Sequence, residues 1–229
     1  MFIQYTPMTT KRQQVANHVR NEILAGNLRP GQRLTEKAIC ELTGASRSSV
    51  REALQLLQQD GMVVNQPNKG VRVAVLDAQE AADIYQVRSV LEGLAARNFI
   101  TLATPAQRER LYQSMRDLET AIEAESVTKQ LRAIEDFYDV LLDGCYNKVL
   151  KATLQELHGK ISRLRATSIL SPGRIQNTLK EMSRISEAIR ANNEQEAFDA
   201  AVEHMQQTSA VALRVISYLN ERTAEGIAD

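Results

Sequence analysis

Arg47 and Arg51 stand one helical turn apart, with Ser48 and Ser49 between them. Guanidinium forks engage carboxylates, phosphates or guanine edges bidentately. A helix beginning near Ser46 would add free backbone N–H groups and the positive end of its dipole to the same attraction. An arginine pair is also ordinary on a solvated helix face, so the spacing alone does not define a site. Elsewhere the reactive residues are sparse. His18 and His158 have no partners at metal-ligand spacing. Cys40 and Cys145 are too few for a disulfide framework or a zinc knuckle and suit a reducing compartment. No Gly-rich phosphate loop, nucleophile elbow, His-Glu-x-x-His or paired-carboxylate motif is present, so the chain reads as a non-enzyme with no cofactor. No apolar run approaches the ~20 residues that span a bilayer, and the N-terminus has no signal-peptide core, so a cytoplasmic protein without membrane contact is expected.

The elements that must hold these residues follow from periodicity. The 229 residues are 43% apolar and 24% charged, ordinary globular usage, and 10 Gly with 5 Pro leave little room for a turn-rich β fold. A mainly α chain is expected. The net charge of zero hides a split, +5 up to Leu76 and −5 beyond it. A basic N-terminal third joined to an acidic remainder points to a nucleic-acid partner for the first part. Met1–Met8 lacks periodicity and reads as a loose arm. Val15, Val19 and Ile23 mark a helix over Thr10–Ala25, with Gly26 suited to a left-handed helix end. Thr35 can cap a second helix, with Leu34 and Ile39 as a hydrophobic staple. After Gly44 a third helix begins near Ser46 and turns Val50, Ala53, Leu54 and Leu57 inward, leaving Arg47, Ser48 and Arg51 outside. Met62–Val64 and Val71–Val75 read as strands of a hairpin whose tip carries Lys69. The whole is a winged helix-turn-helix over residues 1–76.

Three segments, Leu28-Arg29-Pro30-Gly31-Gln32-Arg33-Leu34-Thr35-Glu36, Ser46 to Leu54, and Asn68-Lys69-Gly70-Val71, resemble the winged-helix signature of GntR-family bacterial transcription regulators. The resemblance implies that Lys37, Arg47, Ser48, Ser49 and Arg51 contact double-stranded operator DNA, with Lys69 and Gly70 entering the minor groove.

Beyond Leu76 helical periodicity takes over. Six helices are expected in residues 77–229, including one over Lys148–Ser168 and a long last helix from Glu194. Arg88-x-x-Leu91-Glu92, Phe137-Tyr138, Asn147, Ala188-Ile189, Ala197 and His204 resemble the helical ligand-binding domain of the FadR subfamily, and the six-helix length its shorter, VanR-like group. Many relatives hold a divalent metal with one Asp and three His. Registering the motifs places Ile134, Tyr138 and Met182 at three of those positions and His204 at the fourth. Ile offers no lone pair, Met is soft and neutral Tyr is a poor zinc ligand, so a metal-free site is expected. The resemblance makes Arg88, Ile134, Tyr138, Met182 and His204 the lining of an effector cavity for a small organic molecule, with Arg88 suited to an anionic one. Simpler readings stand beside it: His204 as a hydrogen-bonded core residue, Arg88 paired with Glu92 at i,i+4, and Arg163 and Arg165 on a solvated face. The chain as a whole is expected to be a homodimeric, ligand-sensing regulator, most simply a repressor, on a pseudo-palindromic operator. The alternative is an effector-independent DNA-binding or architectural protein whose bundle only dimerises.

Overall fold

Three short helices lead into a β-hairpin and then into a run of helices that continues to Ala224. The structure, a computed structural model, describes residues 10–75 and 77–224. The arm at Met1–Met8 lies outside the described residues. The chain divides into two compact units at Val75/Leu76, each with its own apolar core.

In the first unit α1 (Lys11–Leu24), α2 (Glu36–Thr43) and α3 (Arg47–Gln59) bury Val19, Ile39, Val50, Ala53 and Leu57 together. Thr35 caps α2 by accepting from the Ala38 N–H at 3.2 Å, and Leu34 and Ile39 are both buried beside it. Gly26, at φ 80°, takes the left-handed position after α1 that a Cβ would strain. The hairpin pairs β1 (Val63–Gln66) with β2 (Gly70–Val73), in register from Val63 opposite Val73 to Gln66 opposite Gly70. Its strands are shifted toward the turn relative to the apolar runs, because pairing uses backbone groups and so recruits polar Asn65 and Gln66. Residues 31–34 add to the hairpin: the Gly31 and Leu34 N–H groups donate to Val73 and Val71 carbonyls, and Arg33 bridges Arg72.

The second unit comprises α4 (Ala78–Leu102), α5 (Pro105–Glu123), α6 (Val127–Gly144), α7 (Lys148–Glu156), α8 (His158–Ile169), α9 (Arg174–Arg190) and α10 (Glu194–Ala224). The count is thus seven helices among the described residues, not the six expected. The segment Lys148–Ser168 breaks at Leu157, whose ψ of 0° leaves the helical ladder just before His158-Gly159. Gly159 is a weak helix former, and that signal outweighs the unbroken apolar spacing. Thr104 and Gln107 form a reciprocal capping box at the start of α5. Gly144 lies where any Cβ would overlap the ring of buried Phe99, so the end of α6 can approach α4 only without a side chain.

Candidate DNA-reading face and buried polar site

The exposed face of α3 follows from its buried one. Val50, Ala53, Leu54 and Leu57 face the core, which turns Arg47, Ser48 and Arg51 outward. Ser46 caps the helix by accepting from the Ser49 N–H at 3.4 Å, and its hydroxyl lies 3.0 Å from that of Ser48 and 3.1 Å from that of Ser49. Arg47 is exposed and forms no hydrogen bond or ion pair among the described residues. Arg51 instead donates through Nε and Nη2 to Glu36, at 2.9 and 3.2 Å. This fork holds the Glu36 carboxyl below its usual range and raises the Arg51 guanidinium. Exposed Lys37 lies 3.9 Å from Glu41. Lys69 is exposed in the wing turn and Gly70 follows at φ 76°, a conformation that admits glycine readily.

A second polar constellation is buried in the helical unit. Arg88 and Glu92, one turn apart on α4, form an ion pair at 2.7 Å with both side chains almost wholly out of water. Arg88 also lies 5.3 Å from the Tyr85 ring and 6.0 Å from that of Tyr138. Its Nη1, the second oxygen of Glu92 and the Tyr138 hydroxyl are buried without a hydrogen-bond partner. Burial pushes the Tyr138 hydroxyl well up. Opposite, Arg174 at the start of α9 grips both carboxylate oxygens of Glu181 at 2.7 Å and the Thr208 hydroxyl at 2.7 Å. Glu181 in turn lies 2.5 Å from Nδ1 of His204. These partners hold the Glu181 carboxyl down to about 2 against the opposing effect of its burial. Burial lowers the His204 imidazole, so the neutral ring donates its Nδ1–H to Glu181.

A cavity of about 20 Å³ sits among these groups, with Arg88, Ile134, Tyr138, Arg165, His204 and Met205 in its wall. Four of the five expected effector residues therefore meet there. Met182 is fully buried in the core, one residue round the helix from Glu181, and Met205 provides the thioether in the wall instead. Arg165 lies 5.1 Å from the Tyr138 ring, and burial and the nearby charge of Arg88 lower its guanidinium. Arg163, unlike half-buried Arg165, is buried, and burial lowers it to about 10. His158 pairs with Glu135 at 3.2 Å, a contact with no signal in the sequence spacing. The network of Arg174, Glu181 and Thr208 likewise has no signal in the sequence, because it depends on how α10 packs against α9. Cys145 is fully buried, Cys40 only partly so.

The donor set does not fit the divalent metal of the FadR-type pattern. Of the four positions Ile134 offers no donor, Met182 a soft thioether and Tyr138 a neutral phenol, and the Nδ1 of His204 is engaged by Glu181. Among the described residues no group of three or more His, Cys, Asp or Glu side chains is placed to hold a metal ion.

A winged helix followed by an all-helical domain, with an outward-facing basic recognition helix, defines a DNA-binding transcription regulator. The chain belongs to the bacterial regulatory proteins of the GntR family: residues 11–73 match that family's own model and residues 83–207 match the FCD domain. It is 29% identical over 192 residues to the HTH-type transcriptional regulator YdhC of Bacillus subtilis, covering 83% of this chain and 86% of that one. It is 23% identical over 206 residues to the HTH-type transcriptional repressor RspR of Escherichia coli, covering 90% of each. In fold it is similar to E. coli McbR/YncC, with a TM-score of 0.75 at 21% identity over 90% of this chain and 99% of that one. The family and these relatives are regulators, not enzymes. No helix among the described residues is long and apolar enough to cross a membrane.

Proposed function

We propose that this chain represses transcription as a homodimer on a pseudo-palindromic operator, and that its helical unit senses a small organic molecule without a metal. The observation that carries the DNA reading is the outward face of α3, where Arg47, Ser48 and Arg51 crowd the N-terminal turn while the opposite face is packed. Phosphates suit that helix end, and a guanidinium fork suits a guanine edge. Lys37, Ser49, Lys69 and Gly70 complete the expected contact surface. Repression is taken from the likeness to RspR. Gel shift on a selected operator tests the assignment: Arg47→Ala and Arg51→Ala should each weaken binding, by ~1–3 kcal/mol where a bidentate base contact is lost. Unchanged affinity in both variants would exclude it. Residues 77–229 should stay dimeric in light scattering, since a two-fold dimer reads two half-sites at once.

The sensing reading rests on buried polar atoms that lack partners around a cavity, a costly arrangement for a core that only packs. One observation favours the alternative in which the bundle only dimerises: about 20 Å³ is on the order of a single water's space. A thermal-shift screen of metabolites separates the two, because a ligand at about 100 times its dissociation constant adds ~2.7 kcal/mol of stability. A screen without a single stabilising compound would leave the dimerisation reading.

A further inference from the structure

The inner cavity is not isolated. A second cavity, of about 40 Å³, lies on the other side of Tyr138 and Arg165, the two residues that line both. The two chambers differ in charge. Arg88 lines only the inner one, Arg165 lies between the two, and Glu92 engages only Arg88. Arg165 forms no hydrogen bond or ion pair among the described residues and is held only against the Tyr138 ring. The outer chamber is lined by Glu92, Glu135, Asp139 and His158, with apolar Leu142, Leu154 and Ile161 between them. Asp139 is exposed, and its carboxyl is raised by partial burial and by the neighbouring charge of Glu135. Buried polar atoms without partners mark both sides: Arg88 Nη1 for the inner chamber, the second Glu92 oxygen for the outer, and the Tyr138 hydroxyl between them.

We propose that the two chambers form one site for a zwitterion, a small molecule bearing both a carboxylate and a protonated amine. The carboxylate accepts hydrogen bonds from Arg88, Arg165 and the Tyr138 hydroxyl, while the ammonium lies toward Glu135 and Asp139. This deepens the sensing reading above and rests on it. A plain carboxylate meets the acidic outer chamber unfavourably, and a plain amine meets the two guanidiniums; only a molecule with both charges satisfies both ends. The two volumes hold on the order of one and three waters, so the ligand must merge them by displacing Arg165 from Tyr138. The break at Leu157 puts Arg165 and His158 on α8, a helix separated from α7, so one short element carries both the partition and part of the outer wall.

The test uses the full-length protein, thermal shift and operator gel shift. The probes are the standard α-amino acids, β-alanine, γ-aminobutyrate and ε-aminocaproate, each beside its deaminated and decarboxylated analogue, together with a plate of unrelated metabolites. At least one amino acid should raise the melting temperature and change operator affinity, with a dissociation constant at least about tenfold below those of both analogues. In the Glu135→Gln/Asp139→Asn double variant that preference over the carboxylate should vanish, while circular dichroism shows that helix content persists. Arg165→Met should weaken the amino acid and its carboxylate analogue together. A carboxylate that binds as tightly as its amino acid, or a hit confined to another chemical class, overturns the zwitterion assignment and leaves sensing intact. A complete lack of hits in any class overturns sensing itself.

Discussion

The sharpest energetic prediction concerns the buried ion pair of Arg88 and Glu92. The two side chains are 2% and 4% exposed and meet at 2.7 Å. Arg88→Met removes the guanidinium but leaves the Glu92 carboxylate buried without its cation. Stripping one partner from a buried pair costs ~3–5 kcal/mol, well above the few tenths expected of an exposed i,i+4 pair. At ~2–4 °C per kcal/mol for a protein of this size, the melting temperature of the helical unit should fall by about 6–20 °C. The double variant Arg88→Met/Glu92→Leu removes both charges and should recover most of the loss, because apolar groups of similar volume replace a buried pair at little cost. Differential scanning calorimetry of the full-length protein reads both changes as shifts of the helical unit's transition, and circular dichroism checks that helix content persists. A single variant within about 1 kcal/mol of the parent, or a double variant no better than the single, would refute the claim that the pair is desolvated. The same reasoning makes Arg88→Ala a poor probe of ligand binding, which Arg165 tests more cleanly.

Gly144→Ala should destabilise the helical unit by about 1–3 kcal/mol in urea unfolding, since the new Cβ must displace the Phe99 ring in a packed core. The His204–Glu181 site should make stability fall on acidification. The folded-state imidazole is lowered, so its contribution is present above its ordinary value and declines as pH drops below it; the Glu181 carboxyl, lowered to about 2, adds a second decline from pH 4.5 toward 2. Glu181→Gln should flatten that lower limb in a series of melts against pH. Purified protein should contain no stoichiometric zinc, nickel or manganese by elemental analysis, and added metal should leave its melting temperature unchanged, because one imidazole cannot replace four ligands. One tightly held metal per chain would refute it.

The sequence by itself determined the local elements. Apolar spacing placed α1, α2, α3 and the long α10, and the cap at Thr35 marked the start of α2, because those signals act within one helical turn. The same periodicity turned Arg47 and Arg51 outward, and the basic N-terminal third agreed with it. Tertiary structure decided the rest. The break at Leu157 lay hidden because apolar spacing runs on across it. Arg33 pairing with Arg72 depends on a strand addition between segments about forty residues apart. Met205 of α10 stands in the cavity wall where Met182 was expected, while Met182 lies in the core one turn beyond the wall residue Thr178 on α9. Arg174 reaching Thr208 and Glu181 reaching His204 join α9 to α10, and no spacing along one helix encodes either contact. Most of all, the sequence made Arg88 charged but could not say that folding strips it of water, leaving it 1% exposed beside Tyr85 and Tyr138. Desolvation is a property of everything packed around a group, and no single stretch of sequence encodes it.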